Sequence, residues 1–311
     1  MTAIRTENLS KFYGPVKALD GLTLNVQPGS VFGFLGPNGA GKSTTIRLLT
    51  GLAPPTAGQA WIAGKDISNR QELVERIGYL PEEPNFYGWM TPAEFLDHVG
   101  RTFRLEASER KARVQELLVQ VGLSQVSKRR IAGFSRGMRQ RLGLAQALVN
   151  RPEVLLLDEP ASALDPAGRK EVLDMISNLR GRCTIFMSTH ILADVERVCD
   201  TIGIINQGKL VVEARQSELL SRYTIPAFEL ECEPGCEQAF QVWAKSLFDL
   251  DWVQSVTINS SSTRIIVKDL QAAHRSLLPS VVQSGVILRR YEIVTPSLED
   301  IFLRLVGQEE T

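Results

Sequence analysis

One glycine-rich segment limits what this chain can fold into more than any other part of its sequence. Residues Gly36–Thr44 read GPNGAGKST. They join an apolar run typical of a strand, Val31–Gly36, to a helical pattern over Lys42–Thr50 that Gly51 ends. A strand that turns through glycines directly into a helix leaves successive backbone N–H groups pointing inward at the positive end of the helix. The segment therefore predicts an α/β fold in which this turn surrounds an anion.

The order of glycines, lysine and hydroxyl residues in this turn matches the Walker A phosphate loop. Lys42 is placed to reach the β- and γ-phosphates of a nucleotide, and the Ser43 hydroxyl to bind Mg²⁺. The alternative is a glycine-rich turn with no ligand, but the strand before the loop and the helix after it favour nucleotide binding. The loop residues that we expect to contact nucleotide are Gly36, Asn38, Gly39, Ala40, Gly41, Lys42, Ser43 and Thr44.

A second apolar strand ends in two carboxylates. The run Val154–Leu157 is followed by Asp158 and Glu159. A strand this apolar is expected to be central in a parallel sheet, so that its end carries acid into a cleft at the sheet edge. Such a run can also precede an ordinary solvated turn. Together with the phosphate loop, it predicts that Asp158 holds Mg²⁺ and that Glu159 orients and polarises an attacking water.

The length and the pattern of elements predict two domains. The chain has 311 residues, 43% of them hydrophobic, which suits a folded protein with two cores. Strands alternate with helices as far as about residue 215, which predicts a three-layer α/β domain over residues 1–220. Because this domain contains the phosphate loop, we expect it to be the ATP-binding domain. Within it, residues 90–150 read as a helical subdomain. Thr91, Ser108 and Ser135 are the expected N-caps of its three helices.

Residues 221–311 change character and predict a small accessory domain. Their apolar segments follow the order βαββαβ, which is typical of a ferredoxin-like α+β fold. Pro296 and Ser297 then precede a last amphipathic helix. Its expected apolar face consists of Leu298, Ile301, Phe302 and Leu305.

Charge and hydropathy exclude several classes of protein. Lysine plus arginine and aspartate plus glutamate both number 35, so we expect no nucleic-acid partner. No apolar run approaches the roughly 18 residues that cross a bilayer, and the first residues lack the apolar core of a signal peptide. We therefore expect a cytosolic chain with no membrane span of its own. Its four cysteines are interpreted as incidental thiols, since neither a disulfide scaffold nor a zinc set is complete; they are Cys183, Cys199, Cys232 and Cys236.

Further motifs give the chain a clear resemblance to a known family. Phe134–Met138 (FSRGM) lies after the helical segment and before the acidic strand, where ATP-binding subunits of ABC transporters carry their signature. Ser162–Asp165 resembles the D-loop of that family, and Ser188–His190 its switch histidine. Lys11–Gly14 resembles the segment with the aromatic residue that stacks on adenine. The order of all these motifs matches over residues 1 to about 215, and the C-terminal extension resembles tails of bacterial ABC exporter subunits.

The resemblance implies a fold, an activity and partners. The fold is a P-loop NTPase of ABC type, with a mixed sheet and a helical subdomain. Two copies, or one copy and a related ATPase subunit, are expected to sandwich two ATP molecules with Mg²⁺ and hydrolyse them. In this arrangement Tyr13 stacks on adenine, Ser135, Gly137 and Asp165 meet the nucleotide across the dimer, and His190 contacts the γ-phosphate. The dimer is expected to power separate transmembrane permease subunits, as an exporter, from the cytoplasmic face of the inner membrane.

Two departures from the family pattern concern the same site. Glu82, in Leu80-Pro81-Glu82, stands where the family usually has glutamine; its carboxylate can still bind Mg²⁺ but adds negative charge near the phosphates. In the signature, Arg136 replaces the first glycine and Met138 replaces glutamine. Because Ser135 and Gly137 remain, we expect contact with ATP to persist.

Two other functions compete with the transporter hypothesis. One is a soluble ABC-type ATPase that acts on ribosomes or DNA; such proteins, by resemblance, carry two ATP-binding halves or long coiled-coil insertions, and neither is seen here. The other is a GTPase switch, but the Asn-Lys-x-Asp guanine-binding motif is absent from the sequence.

Overall fold

The chain forms two compact units, Met1–Gln216 and Ser217–Thr311. The computed structural model describes residues 2–222, 227–294, 298–299 and 301–302, and of residues 220–222 it describes the backbone alone. The division between the units falls four residues before the domain boundary predicted at residue 220.

The first unit is built on a six-stranded sheet with the order β10-β9-β3-β8-β7-β6. Its strands are parallel except for β10, which pairs antiparallel with β9. Every residue of β3, β7 and β8 is buried, as expected for central strands covered on both faces. The rings of Phe32 and Phe186 stack 5.4 Å apart across β3 and β8. The six strands are β3 (Val31–Leu35), β6 (Ile77–Leu80), β7 (Val154–Asp158), β8 (Thr184–Thr189), β9 (Thr201–Asn206) and β10 (Lys209–Arg215).

An antiparallel sheet of four strands forms the second layer of this unit, in the order β2-β1-β4-β5. Its buried side chains, including Leu9, Leu24 and Ile62, join one apolar cluster with Phe32 and Ile46. The phosphate-loop helix therefore packs in the same core as this sheet. The strands are β1 (Ile4–Tyr13), β2 (Val16–Val26), β4 (Ala57–Ile62) and β5 (Lys65–Asp66).

Seven α-helices among the described residues belong to the first unit. Three of them, α3 to α5, lie within residues 90–150, where the sequence predicted three helices. Thr91 caps α3 in a full capping box with Glu94, and the Ser135 hydroxyl caps α5. The prediction that Ser108 is an N-cap was wrong: the N-cap position is Glu106, two residues earlier, and its side chain makes no capping hydrogen bond. The helices are α1 (Lys42–Leu49), α2 (Arg70–Arg76), α3 (Pro92–Thr102), α4 (Ala107–Gln120), α5 (Arg136–Ala147), α6 (Pro166–Ser177) and α7 (Leu192–Val198).

The second unit has the predicted βαββαβ order. Its antiparallel sheet has the order β12-β13-β11-β14, and its core includes Phe228, Phe240, Trp243 and Leu277. The elements after α8 (Gln216–Arg222) are β11 (Ala227–Cys232), α9 (Glu237–Ser246), β12 (Val253–Ile258), β13 (Ser262–Val267), α10 (Leu270–Ser284) and β14 (Leu288–Val294).

Part of the predicted last helix falls within the described residues. Leu298 and Ile301 are helical and buried, whereas Pro296, Ser297 and Leu305 lie outside the described residues. The four cysteines are free thiols. Over the described ranges, we find no helix with both the length and the apolar character needed to cross a bilayer.

Candidate functional site

The glycine-rich loop connects β3 to α1 at the carboxyl edge of the parallel sheet. Gly39 and Gly41 have φ angles of +83° and +109°, in the left-handed region that favours glycine. A Cβ atom on Gly41 would lie 2.5 Å from the Ala18 carbonyl oxygen, and one on Gly36 would lie 2.4 Å from the Ile205 carbonyl oxygen. Neither position has room for a side chain, so the sequence of glycines fixes the shape of the loop.

The Lys42 ammonium is buried against its own loop. Its Nζ donates hydrogen bonds to the carbonyl oxygens of Gly36, at 2.8 Å, and Pro37, at 3.1 Å. It also lies 3.5 Å from Oε1 of Glu159, and both side chains are less than a tenth exposed. A buried ammonium needs such partners, and phosphate oxygens could replace them.

Ser43 and Asp158 bring a hydroxyl and a carboxylate together. The Ser43 hydroxyl donates a hydrogen bond to Oδ1 of Asp158 at 3.2 Å, and the Ser188 hydroxyl donates to the same oxygen at 2.6 Å. These are hard oxygen donors of the kind that Mg²⁺ takes beside phosphate. Within the described part of the chain, no group of three or more His, Cys, Asp or Glu side chains could hold a metal. The Ser43 hydroxyl and the Asp158 carboxylate fit a cation that takes its other ligands from water and phosphate.

Glu159 is held in an unusual backbone conformation at the end of β7. Its φ angle is +47°, which is uncommon for a residue with a side chain. Its N–H donates hydrogen bonds to the hydroxyl and to the carbonyl oxygen of Ser188, both at 3.1 Å. Both carboxylate oxygens lie 3.0 Å from Nδ1 of His190. The carboxylate is thus oriented by an imidazole on one side and by Lys42 on another.

A cavity of about 250 Å³ lies against Lys42, Ser43 and Glu159, and we call it the loop cavity. Glu82 enters it from the segment after β6, and His190 enters it from the end of β8. Its lining residues are Ala18, Asn38, Gly39, Gly41, Lys42, Ser43, Thr44, Glu82, Glu159 and His190.

Seven of the predicted site residues do not line the loop cavity. Gly36 and Ala40 lie in the glycine-rich loop itself, and Asp158 accepts a hydrogen bond from Ser43. The other four lie on other elements. Tyr13 is half exposed at the end of β1, with the Lys11 Nζ 5.1 Å from its ring centroid. Ser135 and Gly137 lie at the start of α5, where Ser135 Oγ accepts a hydrogen bond from the Met138 N–H at 3.3 Å. Asp165 caps α6 through a bond from the Gly168 N–H to Oδ1 at 3.3 Å.

Sequence reasoning missed two groups beside the site. Ser188 contacts both acidic residues because β7 and β8 pair in parallel with Asp158 opposite Ser188. Asp194, at the start of α7, is almost fully buried, and its Oδ1 accepts a bond from Arg169 Nε on α6 at 2.6 Å. Burial raises the pKa of Asp194, and the Arg169 guanidinium lowers it in part. Local sequence carries no signal for either pairing, because both depend on the order of elements in the sheet.

Comparison with known proteins covers nearly all of the chain. The family model for the ABC transporter matches residues 19–162, and the model for the C-terminal domain of DrrA1-3-like ATP-binding proteins matches residues 216–306. The uncharacterized ABC transporter ATP-binding protein YxlF of Bacillus subtilis (strain 168) is 38% identical over 301 residues, which cover 96% of this chain and 98% of the relative.

The chain is an ABC transporter ATP-binding protein.

Other relatives and solved structures agree with this membership. The bacitracin transport ATP-binding protein BcrA of Bacillus licheniformis is 37% identical over 309 residues, covering 98% of each chain. A solved ATP-binding subunit of an ABC transporter covers 71% of this chain and 93% of its own, with 29% identity and a TM-score of 0.65. The ATP-binding cassette MJ0796, solved as a dimer in a post-hydrolysis state with ADP and Pi, covers 68% of this chain and 98% of its own, with 25% identity and a TM-score of 0.62.

Membership settles the fold class and the general activity. The predicted P-loop ABC fold is confirmed, and this ABC ATP-binding protein binds and hydrolyses ATP to power a transporter. The comparisons favour this function over a soluble ATPase that acts on ribosomes or DNA. Association with a second ATPase subunit and with transmembrane permease subunits is consistent with the family.

Proposed function

We propose that this protein powers export across the bacterial inner membrane, from the cytoplasmic face, as a dimer that closes on ATP. Support for export comes from the names of its relatives. They include a bacitracin transport protein, the linearmycin resistance protein LnrL of Bacillus subtilis and a Nod factor export protein of Paraburkholderia xenovorans. The observation that carries the proposal is the loop cavity, in which a phosphate loop, two carboxylates and a histidine converge.

The loop cavity is proposed to bind the ATP phosphates. The backbone N–H groups of the loop surround the phosphates, and the Lys42 ammonium exchanges its bonds with loop carbonyls for bonds with phosphate oxygens. Ser43, Asp158 and Glu82 would hold Mg²⁺. When bound, this cation would neutralise charge on the phosphates. Tyr13, half exposed, is proposed to stack on adenine.

Glu159 is proposed as the residue that activates water. Its carboxylate can accept a proton from a water molecule and orient that water toward the γ-phosphate. The left-handed backbone and the two bonds to Ser188 hold it at the cavity wall. His190 Nδ1 bonds to this carboxylate, so that the other ring nitrogen is available to a phosphate oxygen.

Ser135, Gly137 and Asp165 are proposed to act on the nucleotide of the other copy. Support for this role comes from the resemblance of their motifs to the signature and the D-loop of the family. Ser135 is the N-cap of α5 and accepts a hydrogen bond from the Met138 N–H, and a helix N-terminus favours an anion. Arg136 adds a cation there; its Nη2 lies 3.6 Å from Oε1 of Glu83, and both side chains are largely exposed.

An exposed apolar groove is proposed to receive a segment of the permease. It lies beside α1, α2, β6 and α3 and has a volume of about 230 Å³. Leu52 and Val74 at the groove are 64% and 48% exposed, and exposed apolar side chains that lie together are typical of interaction sites. Because the protein must contact a membrane partner, we propose that an apolar helix of that partner packs here.

Copurification from a detergent extract tests this proposal. Tagged wild-type protein should retain a polytopic membrane protein, and Val74→Asp should lose it because a charge would be buried in the contact. Val119→Asp is the matched control, since Val119 is 71% exposed on α4 and lines no part of the groove. Recovery of ribosomes or DNA in place of a membrane protein would overturn the proposed function. Equal loss of the membrane protein from Val74→Asp and Val119→Asp would overturn the assignment of the groove as the contact with the permease.

A further inference from the structure

A second cavity, of about 640 Å³, lies at the opposite edge of the parallel sheet from the loop cavity. Gly29 precedes β3, Glu153 precedes β7, and Cys183 precedes β8, so this cavity lies at the amino ends of these strands. We call it the amino-edge cavity. Its lining residues are Thr2, Ala3, Arg5, Pro28, Gly29, Trp61, Ala63, Gly64, Glu153, Val154, Gly181, Arg182, Cys183 and Thr184.

The amino-edge cavity is preformed. The Gly29 N–H donates to the Thr184 hydroxyl at 3.0 Å, and the Gly181 N–H donates to the Gly29 carbonyl oxygen at 3.1 Å, so the loops that frame it are bonded to each other. Gly64 and Gly181 have φ angles of +75°, and a Cβ atom on either would meet nothing within 4 Å. Its size falls in the range of small-molecule sites, which is about 300–1,000 Å³.

The walls suit a flat apolar molecule. Trp61, half-buried on β4, and Val154, buried at the start of β7, both line the cavity. The Arg5 guanidinium lies 5.2 Å from the Trp61 ring centroid and is also paired with Glu7. An aromatic ring system of a ligand could therefore pack against an aromatic and an aliphatic side chain together.

One cation at the mouth of the cavity is available to a ligand. Glu153 is paired with Arg76 on α2, so its charge is already balanced. Arg182 is exposed, and none of the described residues forms an ion pair with it. A guanidinium is well suited to a planar or tetrahedral anion. The charge that remains at the mouth is thus positive.

We propose that the amino-edge cavity binds a small aromatic anion, with its ring system against Trp61 and Val154 and its acidic group beside Arg182. Nothing in the nucleotide chemistry of the loop cavity uses these residues. The site is therefore a separate ligand site, and it does not depend on the function proposed above.

Cys183 provides a reporter inside the cavity. Cys183 is 8% exposed and lines the cavity, and burial raises the pKa of its thiol to about 11. Because the thiolate is the reactive form, iodoacetamide should modify Cys183 slowly near neutral pH and faster at pH 9. A molecule that occupies the cavity should shield it. Cys236, which is partly exposed in the second unit, is an internal control in the same sample.

The test uses the full chain and 8-anilinonaphthalene-1-sulfonate as the probe, an aromatic sulfonate of the proposed class. Its dissociation constant is measured by fluorescence, and alkylation at pH 9 is followed by peptide mass spectrometry. At a free probe concentration four times the dissociation constant, the alkylation rate of Cys183 should fall about fivefold. The rate of Cys236 should not change. An unchanged alkylation rate of Cys183 in the presence of the probe would show that the probe does not occupy the cavity, and would overturn the proposed site.

Variants of the exposed arginine test the anion contact. Arg182→Gln should weaken probe binding about fivefold, as expected for a partly solvated ion pair, and Arg182→Lys should retain most of the affinity. Arg289→Gln, an exposed arginine of the second unit, is the control and should bind the probe as the wild type does. Equal affinity of Arg182→Gln and wild type would overturn the assignment of the acidic group. Neither readout requires ATP hydrolysis, so failure here is distinct from failure of the proposed function.

Discussion

Replacing Glu159 by glutamine should separate the two roles that its carboxylate has in the loop cavity. In the nucleotide-free chain the carboxylate is paired with Lys42 and His190, and in catalysis it is proposed to activate water. Glutamine keeps the size and loses the charge. Turnover should fall by about 10²- to 10⁴-fold, the usual contribution of a general base.

The same substitution should tighten ATP binding. Two unit charges 3.5 Å apart attract with about 5 kcal/mol at an effective dielectric constant of 20. Desolvation cancels most of this energy for buried pairs, so separating Lys42 from Glu159 costs about 1 kcal/mol net. In the wild type, phosphate binding must separate Lys42 from Glu159, and this cost weakens the binding. In Glu159→Gln there is no ion pair to separate. We therefore expect affinity to rise about fivefold.

Titration with a fluorescent ATP analogue and a phosphate-release assay measure the two effects on the same samples. Glu213→Gln is the matched control, because Glu213 is a partly buried carboxylate on β10 that lines no part of the loop cavity. Normal turnover by Glu159→Gln would remove Glu159 from the proposed role. Weaker nucleotide binding by this variant would refute the competition between its carboxylate and phosphate for Lys42.

Two further predictions concern buried charges of the first unit. Lys42→Ala should lose most of its nucleotide affinity, measured by the same titration, and unchanged binding would argue against the phosphate cradle. Arg169→Gln should raise the pKa of Asp194 further, because the guanidinium that lowers it is gone. The native state then binds a proton at Asp194 more tightly than the unfolded state does, so protonation at low pH offsets part of the lost stability. The free energy of unfolding should therefore fall by about 2 kcal/mol at pH 8 and by less at pH 5. Urea unfolding at the two pH values measures this free energy, and an equal decrease at pH 8 and pH 5 would contradict the reasoning.

Much of the fold could be predicted because local signals agree with the final structure. The phosphate loop, the capping box at Thr91 and the helix start at Asp165 all follow from residues close in sequence. The segment Arg70–Arg76 and the strand after it were not predicted. Helix α2 buries only Leu73, and the strand contains Gly78, which is a poor strand former. A Cβ atom on Gly78 would lie 2.0 Å from the Ala147 carbonyl oxygen, so tight packing against α5 explains this glycine.

The candidate site could be predicted only in part. Its residue types were readable in each motif, but their contacts depend on the order of strands. Because β8 lies between β3 and β7, Ser188 reaches both Asp158 and the backbone of Glu159. The pairing of Lys42 with Glu159 likewise joins residues that are far apart in sequence. The roles of all the site residues remain predictions, and those of Ser135, Gly137 and Asp165 also concern a second copy of the chain.

The mass of Glu159→Gln in solution tests the central claim most directly. Sedimentation velocity with MgATP should give a species of twice the 34.5 kDa chain mass, and the same sample without nucleotide should give the single chain. Nucleotide recovered from the larger species should amount to one ATP per chain. A single-chain species that nevertheless holds ATP at saturation would contradict closure of two copies on the nucleotide.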